Sequence, residues 1–171
     1  MATVSEGHFA TLPNGIRLHY ACAGDRDRPL LLFLHGFPEF WFAWHAQLAH
    51  FGDTHFAVAP DLRGYNLSDQ PTEVASYRAK FLLQDIEQFI NSLGYKRCVI
   101  VAHDWGGALA WQFAVQYSQY VERLLIINAT HPVPFADALA KDPVQQAASE
   151  YMNWLRAEGS EQALVKDDFR V

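Results

Sequence analysis

The stretch IVAHDWGGALAWQF, residues 100–113, sets an acid between an apolar run and a glycine pair. RCVIVAHD (97–104) reads as a strand buried on both faces, and GGALAWQFAVQY (106–117) as a helix that follows at once. Asp104 stands at the junction. The same alternation recurs on either side. PLLLFLHG (29–36) is a continuous apolar run closed by glycine, followed by EFWFAWHAQLAHFG (39–52), a predicted helix ending at Gly52. HFAVAPDLRG (55–64) is a short strand running into a turn. From Ser76 to Leu93 the residues Leu82, Ile86, Phe89, Ile90 and Leu93 keep helical spacing, with Gly94 as a left-handed stop. VERLLIINATHP (121–132) supplies a further strand of buried type. Buried strands alternating with helices imply βαβ units, hence a mainly parallel sheet covered on both sides. Upstream, two alternating segments around His8–Leu12 and Ile16–Ala21 flank Pro13-Asn14-Gly15, a hairpin signal.

After Thr130 the pattern changes. HPVPFADALAKDP has three prolines, and the helical-looking segment that follows has no strand before it. Residues 1–130 are therefore expected to form the sheet-containing core and residues 131–171 an excursion out of the sheet layer.

Bulk composition narrows the function classes. The chain has 171 residues, half of them hydrophobic, enough for one ordinary domain with a core. Its formal charge of −6, with no basic run, argues against nucleic acid as a partner. Cys22 and Cys98 lie far apart and read as buried apolar residues in a reducing compartment. The N-terminus shows no basic-then-apolar leader, and no apolar run approaches the length of a membrane span. A cytoplasmic domain without membrane partners is expected. No carboxylates or histidines sit at ligand spacing, so neither a metal nor another cofactor is expected.

Ala102-His103-Asp104-Trp105-Gly106 has the form small–x–acid–x–small, a nucleophile elbow with aspartate at its centre. The turn is so tight that larger side chains two positions away would collide with the neighbouring strand and helix. An aspartate held over the carboxyl end of the sheet can attack carbon and form an ester, splitting one hard hydrolysis into two easier steps. The competing reading is a plain helix cap, for which Asp is a favoured residue. The five residues alone leave both open.

Taken with AHDWGG (102–107), the stretches LHGFPEFWFAW (34–44) and DLRGYNLSDQP (61–71) closely resemble the epoxide hydrolase branch of the α/β-hydrolase fold family, which borders the haloalkane dehalogenases. The resemblance runs in order from about His8 to the last residue. It implies an α/β-hydrolase fold, with residues 1–130 as the N-terminal part of the core domain and 131–171 as the beginning of a helical lid. It implies Asp104 as nucleophile. His35-Gly36-Phe37-Pro38 resembles the family's H-G-x-P oxyanion loop, with the Phe37–Pro38 bond expected cis. The N–H groups of Phe37 and Trp105 would bind the oxyanion, and His35, Phe37, Pro38 and Trp105 would wall the substrate pocket. Asp61-Leu62-Arg63-Gly64 matches a family turn and is expected to be structural.

Three residues bear on the electrophile. Trp105 is not the arginine that fluoroacetate dehalogenases carry. Phe37 is not the asparagine that many haloalkane dehalogenases use. Asn128 stands where several dehalogenases place a relay acid, and an amide cannot act as that acid. All three favour a small apolar epoxide with water as co-substrate. Opening an epoxide needs a proton donor, and Tyr151, in SEYMNWLRAEGSE (149–161), resembles the first of the family's two lid tyrosines. The alternative for Tyr151 is packing, with Trp154 and Leu155, on the apolar face of a lid helix.

In this fold the order is nucleophile, acid, histidine. Downstream of Asp104 the sequence holds only His131, which fits a structural exit into the lid. The expectation is an N-terminal part of a longer enzyme, whose aspartyl ester would hydrolyse very slowly, with an unpaired sheet edge prone to self-association. Alternatives are a haloalkane dehalogenase using the same ester, or a non-catalytic fragment that binds small apolar molecules.

Overall fold

The computed structural model describes residues 1–169. The chain divides into two compact units, Met1–Thr130 and His131–Val171. The first opens with the hairpin of β1 (Ser5–Thr11) and β2 (Arg17–Ala23). Gly15 takes φ +87° at its turn, and the Asn14 side chain accepts from the Ile16 N–H at 3.1 Å. The sheet continues through β3 (Leu30–Leu34), β4 (Phe56–Pro60), β5 (Cys98–His103) and β6 (Val121–Ile127) in the spatial order β1-β2-β4-β3-β5-β6. The β1/β2 and β2/β4 pairs are antiparallel, whereas β3/β4, β3/β5 and β5/β6 are parallel.

That order positions the site. From β3 the chain moves to one side to make β4, then crosses back to make β5 on the other side of β3. The carboxyl ends of β3 and β5 therefore flank a switch point, where the departing loops diverge and leave a crevice. Leu34 pairs with Ala102 at the end of that ladder. His35–Pro38 leaves one strand and His103–Asp104 the other.

Period-two alternation sends the strand side chains to two cores. Leu32, Leu34, Val58 and Ile100 pack on one face with α2 (Ala79–Ser92) and α3 (Asp104–Gln116), through Phe89 and Phe113. Leu31, Phe33, Ala57 and Ala59 pack on the other with Trp41, Trp44 and Leu48. Leu48 belongs to α1 (His45–Phe51).

Three expectations are corrected. The helix predicted over 39–52 begins as a 3-10 turn, Trp41–Trp44, before α1. Three residues per turn eclipses Trp41 and Trp44, so both bury against the same sheet face. The helix predicted from Ser76 is interrupted: a 3-10 turn at Val74–Tyr77 ends at an extended Arg78 (φ −62°, ψ 140°), and α2 starts at Ala79. The Ser76 carbonyl instead accepts from Arg63 Nη1 at 2.7 Å. β6 is not buried like its neighbours. It pairs with β5 alone among the described residues, and Leu125 and Ile127 are 50% and 44% exposed, while Leu124 and Ile126 face the core.

The second unit holds α4 (Pro132–Lys141), α5 (Pro143–Ala148), α6 (Glu150–Arg156) and α7 (Ser160–Phe169). Pro132 and Pro143 occupy first helical turns, where a missing N–H is harmless, and the His131 and Asp142 side chains accept the capping bonds.

The turn after β4 is held by buried polar groups. Asp61 accepts from the Trp41 N–H and the Asn66 amide and pairs with His19, itself buried, at 2.7 Å. Arg63 donates Nε and Nη2 to the two oxygens of Asp85 on α2 at 2.7 and 2.6 Å. Removing one partner of such a buried fork leaves an uncompensated charge. Asp85→Ala is expected to lower the unfolding free energy by about 3–5 kcal/mol in urea titration, with Arg63→Met/Asp85→Leu recovering most of the loss. A single mutant within about 1 kcal/mol of wild type, the worth of a surface pair, would show that the fork does not hold this turn.

Candidate active site

At the end of β5, His103 is extended (φ −122°, ψ 143°) and Asp104, the first residue of α3, takes φ +48°. A left-handed non-glycine residue is strained and persists only where its surroundings over-determine it. Here they do. A Cβ on Gly106 would lie 2.5 Å from the His35 carbonyl oxygen and 2.6 Å from that of Leu34, and the Gly106 N–H donates to the His35 carbonyl at 3.1 Å. A Cβ on Gly36 would lie 2.6 Å from the Asp104 Cβ. Glycine on both sides lets the elbow and the facing loop come into contact.

The residue at the N-cap position of α3 is His103, not Asp104. The Asp104 carboxylate turns across the crevice, and its Oδ1 accepts from the Phe37 N–H at 2.9 Å. Phe37 is joined to Pro38 by a cis peptide bond. Trp105 is the second residue of α3, so its N–H lies in the first turn, where the helix supplies no acceptor. Phe37 and Trp105 are 38% and 48% exposed. Asp104, Phe37, Pro38 and Trp105 thus meet at the crevice within the first unit, and Tyr151 belongs to the second, on α6.

His35 is placed differently from a pocket wall. It is fully buried beneath the loop and lines neither cavity at the site. Its Nε2 accepts from the Leu62 N–H at 3.0 Å, which leaves the proton on Nδ1 to be donated to the Gly36 carbonyl at 2.8 Å. Burial holds its pKa below the ordinary imidazole value. Both ring nitrogens serve the backbone, so His35 fixes the loop from below.

Two residues at the site escaped the sequence reading. Glu39 Oε2 accepts from the Gly36 N–H at 3.0 Å and faces His103 Nδ1 at 3.1 Å, bridging the loop to the elbow. Partial burial pushes its pKa up, but the Gly36 and His103 hydrogen bonds and the nearby imidazoles outweigh this and hold it below the usual value. Tyr65 stands edge-on to His35, with ring centroids 4.8 Å apart. It lines two cavities, one of about 210 Å³ that also includes Trp105, the other of about 540 Å³ beside Phe37 and Pro38. Burial first, and then the negative charge of Asp104, push its phenol up to about 12. Glu39 had no signal beyond following the H-G-x-P loop, and Tyr65 lay in a stretch read as a structural turn.

Between pH 10 and 12 the unfolded chain has lost this phenolic proton while the folded chain keeps it, so stability falls as pH rises through that window. Urea midpoints measured in steps across it are expected to drop, and to drop less steeply in Tyr65→Phe. The raised thiol of Cys98 contributes its own share in both proteins. Equal slopes would show that Tyr65 titrates normally.

A family model described as alpha/beta hydrolase fold matches residues 29–165. Epoxide hydrolase 3 of Xenopus tropicalis is 46% identical over 146 residues, 85% of this chain and 40% of that protein. Epoxide hydrolase 1 of Caenorhabditis elegans is 44% identical over 153 residues, 90% of this chain and 38% of its own length. The chain therefore spans about 40% of the length of these curated relatives. Among solved structures, the epoxide hydrolase of Bacillus megaterium in complex with an inhibitor superposes with a TM-score of 0.90 at 41% identity, covering 95% of this chain and 56% of that one. A point mutant of an epoxide hydrolase from the same organism, complexed with its product (R)-3-[1]naphthyloxy-propane-1,2-diol, gives 0.89 at 42% identity over 95% of this chain and 56% of the mutant. By its strand order, its elbow and the matched residues 29–165, the chain belongs to the α/β-hydrolase fold family.

Proposed function

We propose that the protein carrying this chain opens epoxides to vicinal diols through an ester on Asp104. The observation that carries this reading is the carboxylate itself: strained into the left-handed region at φ +48°, with Oδ1 held by the Phe37 N–H at 2.9 Å. One oxygen is fixed, so the other, Oδ2, is the attacking atom. Oδ2 forms a bond to an epoxide carbon, the carbon–oxygen bond of the ring breaks, and the ring oxygen leaves as an alkoxide. A phenol, with an ordinary pKa of ~10, stays protonated at neutral pH and can donate to it. Tyr151 takes that role in this reading, with residues 131–171 as the start of a lid and 1–130 as the N-terminal part of the core.

Water then attacks the ester carbonyl carbon. The negative charge develops on Oδ1, already bonded to the Phe37 N–H, with the Trp105 N–H as second donor. Donors fixed before the reaction cost no reorganisation, and each is worth roughly 3 kcal/mol of barrier. The step needs a base, and the histidines beside the elbow are committed elsewhere: His35 to backbone groups and His103 to Glu39. The ester is therefore expected to outlast its formation on these residues. The relatives named epoxide hydrolase support the substrate class, the acidic charge balance argues against nucleic-acid partners, and the free, buried Cys22 and Cys98 support a cytoplasmic, reducing compartment. The open rim of β6, with Leu125 and Ile127 exposed, supports self-association.

Incubating the 171-residue chain with styrene oxide is expected to add one substrate equivalent to the intact mass. Peptide mapping should place it on Asp104, and Asp104→Asn should abolish it. Labelling that persists in Asp104→Asn, or sustained diol release without a trapped ester, would overturn the scheme.

A further inference from the structure

The cavity of about 210 Å³ lies between the sheet and the helices α2 and α3, floored by Leu32 and Leu34 and walled by Leu82, Ile86, Phe89 and Leu109. Trp105, the residue after the candidate nucleophile, closes one side. Arg63, Tyr65 and Tyr77 form a wall common to this cavity and the wider one beside Phe37 and Pro38. We infer that this apolar cavity is a binding site for a neutral aryl group, reached past Tyr65 from the crevice that holds Asp104.

Size, charge and shape argue for that ligand class. A dry apolar cavity of about 150 Å³ accommodates benzene, so this one takes a benzene ring with room for a substituent. The charged groups in its wall carry no unmet demand: Arg63 spends Nε and Nη2 on Asp85 and Nη1 on the Ser76 carbonyl. A charged ligand would find no partner and would lose its hydration. What remains of the guanidinium is its planar face, which stacks well on aromatic rings. Phe89, Tyr65, Tyr77 and Trp105 provide ring edges and faces for the same purpose. As the seat for a substrate's aryl substituent, the site rests on the epoxide reading above. As an arene site it stands without it, and the experiment separates the two.

The test uses the 171-residue chain with labelled methyl groups, titrated with toluene and followed by NMR. Saturable shifts are expected at the methyls of Leu82, Ile86 and Leu109, alike in wild type and in Asp104→Asn. Leu109→Phe, which fills the cavity, is expected to weaken binding at least tenfold. Should that variant not fold, the wild-type map decides the matter. The absence of shifts at these methyls up to the solubility of toluene, or shifts confined to the surroundings of Phe37 and Phe40, overturns the inference. Toluene binding in a chain that forms no ester with styrene oxide would leave the arene site standing and remove only its role in an epoxide reaction.

Discussion

The hydrogen bond from the Phe37 N–H to Asp104 Oδ1 joins two loops that are 67 residues apart in sequence and leave adjacent parallel strands. It forms only because β3 and β5 end level with one another and because Gly36 and Gly106 allow backbone and side chain into contact. The strain at Asp104 has its justification there. A relaxed backbone at position 104 would carry the carboxylate off the line of the Phe37 amide, so the bond and the left-handed turn support each other.

Around that contact the fold invests buried polar groups where an apolar core would suffice for cohesion alone. His35 ties the loop to Leu62, Asp61 ties the turn after β4 to Trp41 and His19, and the Arg63–Asp85 fork ties the same turn to α2. Each of these groups is satisfied by directional bonds, so each fixes a position as well as a distance. Together they fix the crevice from below and from one side. Precision of placement is what the attack proposed for the Asp104 carboxylate requires, and directional bonds supply it better than apolar contacts do.

Much of this was legible in the sequence, and the exceptions share a cause. The apolar runs at Leu30–Leu34 and Cys98–His103 announce strands with two covered faces, Gly94 announces a helix stop, and the spacing of small residues around Asp104 announces a tight turn. These are local signals. The 3-10 turn at Trp41–Trp44 depends on a sheet face that local periodicity does not display, and the break at Arg78 depends on Arg63 taking the Ser76 carbonyl. β6 has the composition of a central strand, yet its exposure is decided by its place in the sheet order. Glu39 and Tyr65 were missed for the same reason, since their importance comes from His103 and Asp104, distant in sequence.

The tautomer of His35 gives the molecule an acid limit. The Leu62 amide needs a lone pair on Nε2, so this ring must stay neutral for the loop to be held. As pH falls below 6.5 the unfolded chain takes up a proton that the buried ring resists, so stability is lost until pH passes the ring's own, lower pKa. Acidification therefore loosens the His35–Pro38 loop from its underside. The Asp104 carboxylate then loses the support beneath the Phe37 amide that positions it, although nothing in its own surroundings has been removed.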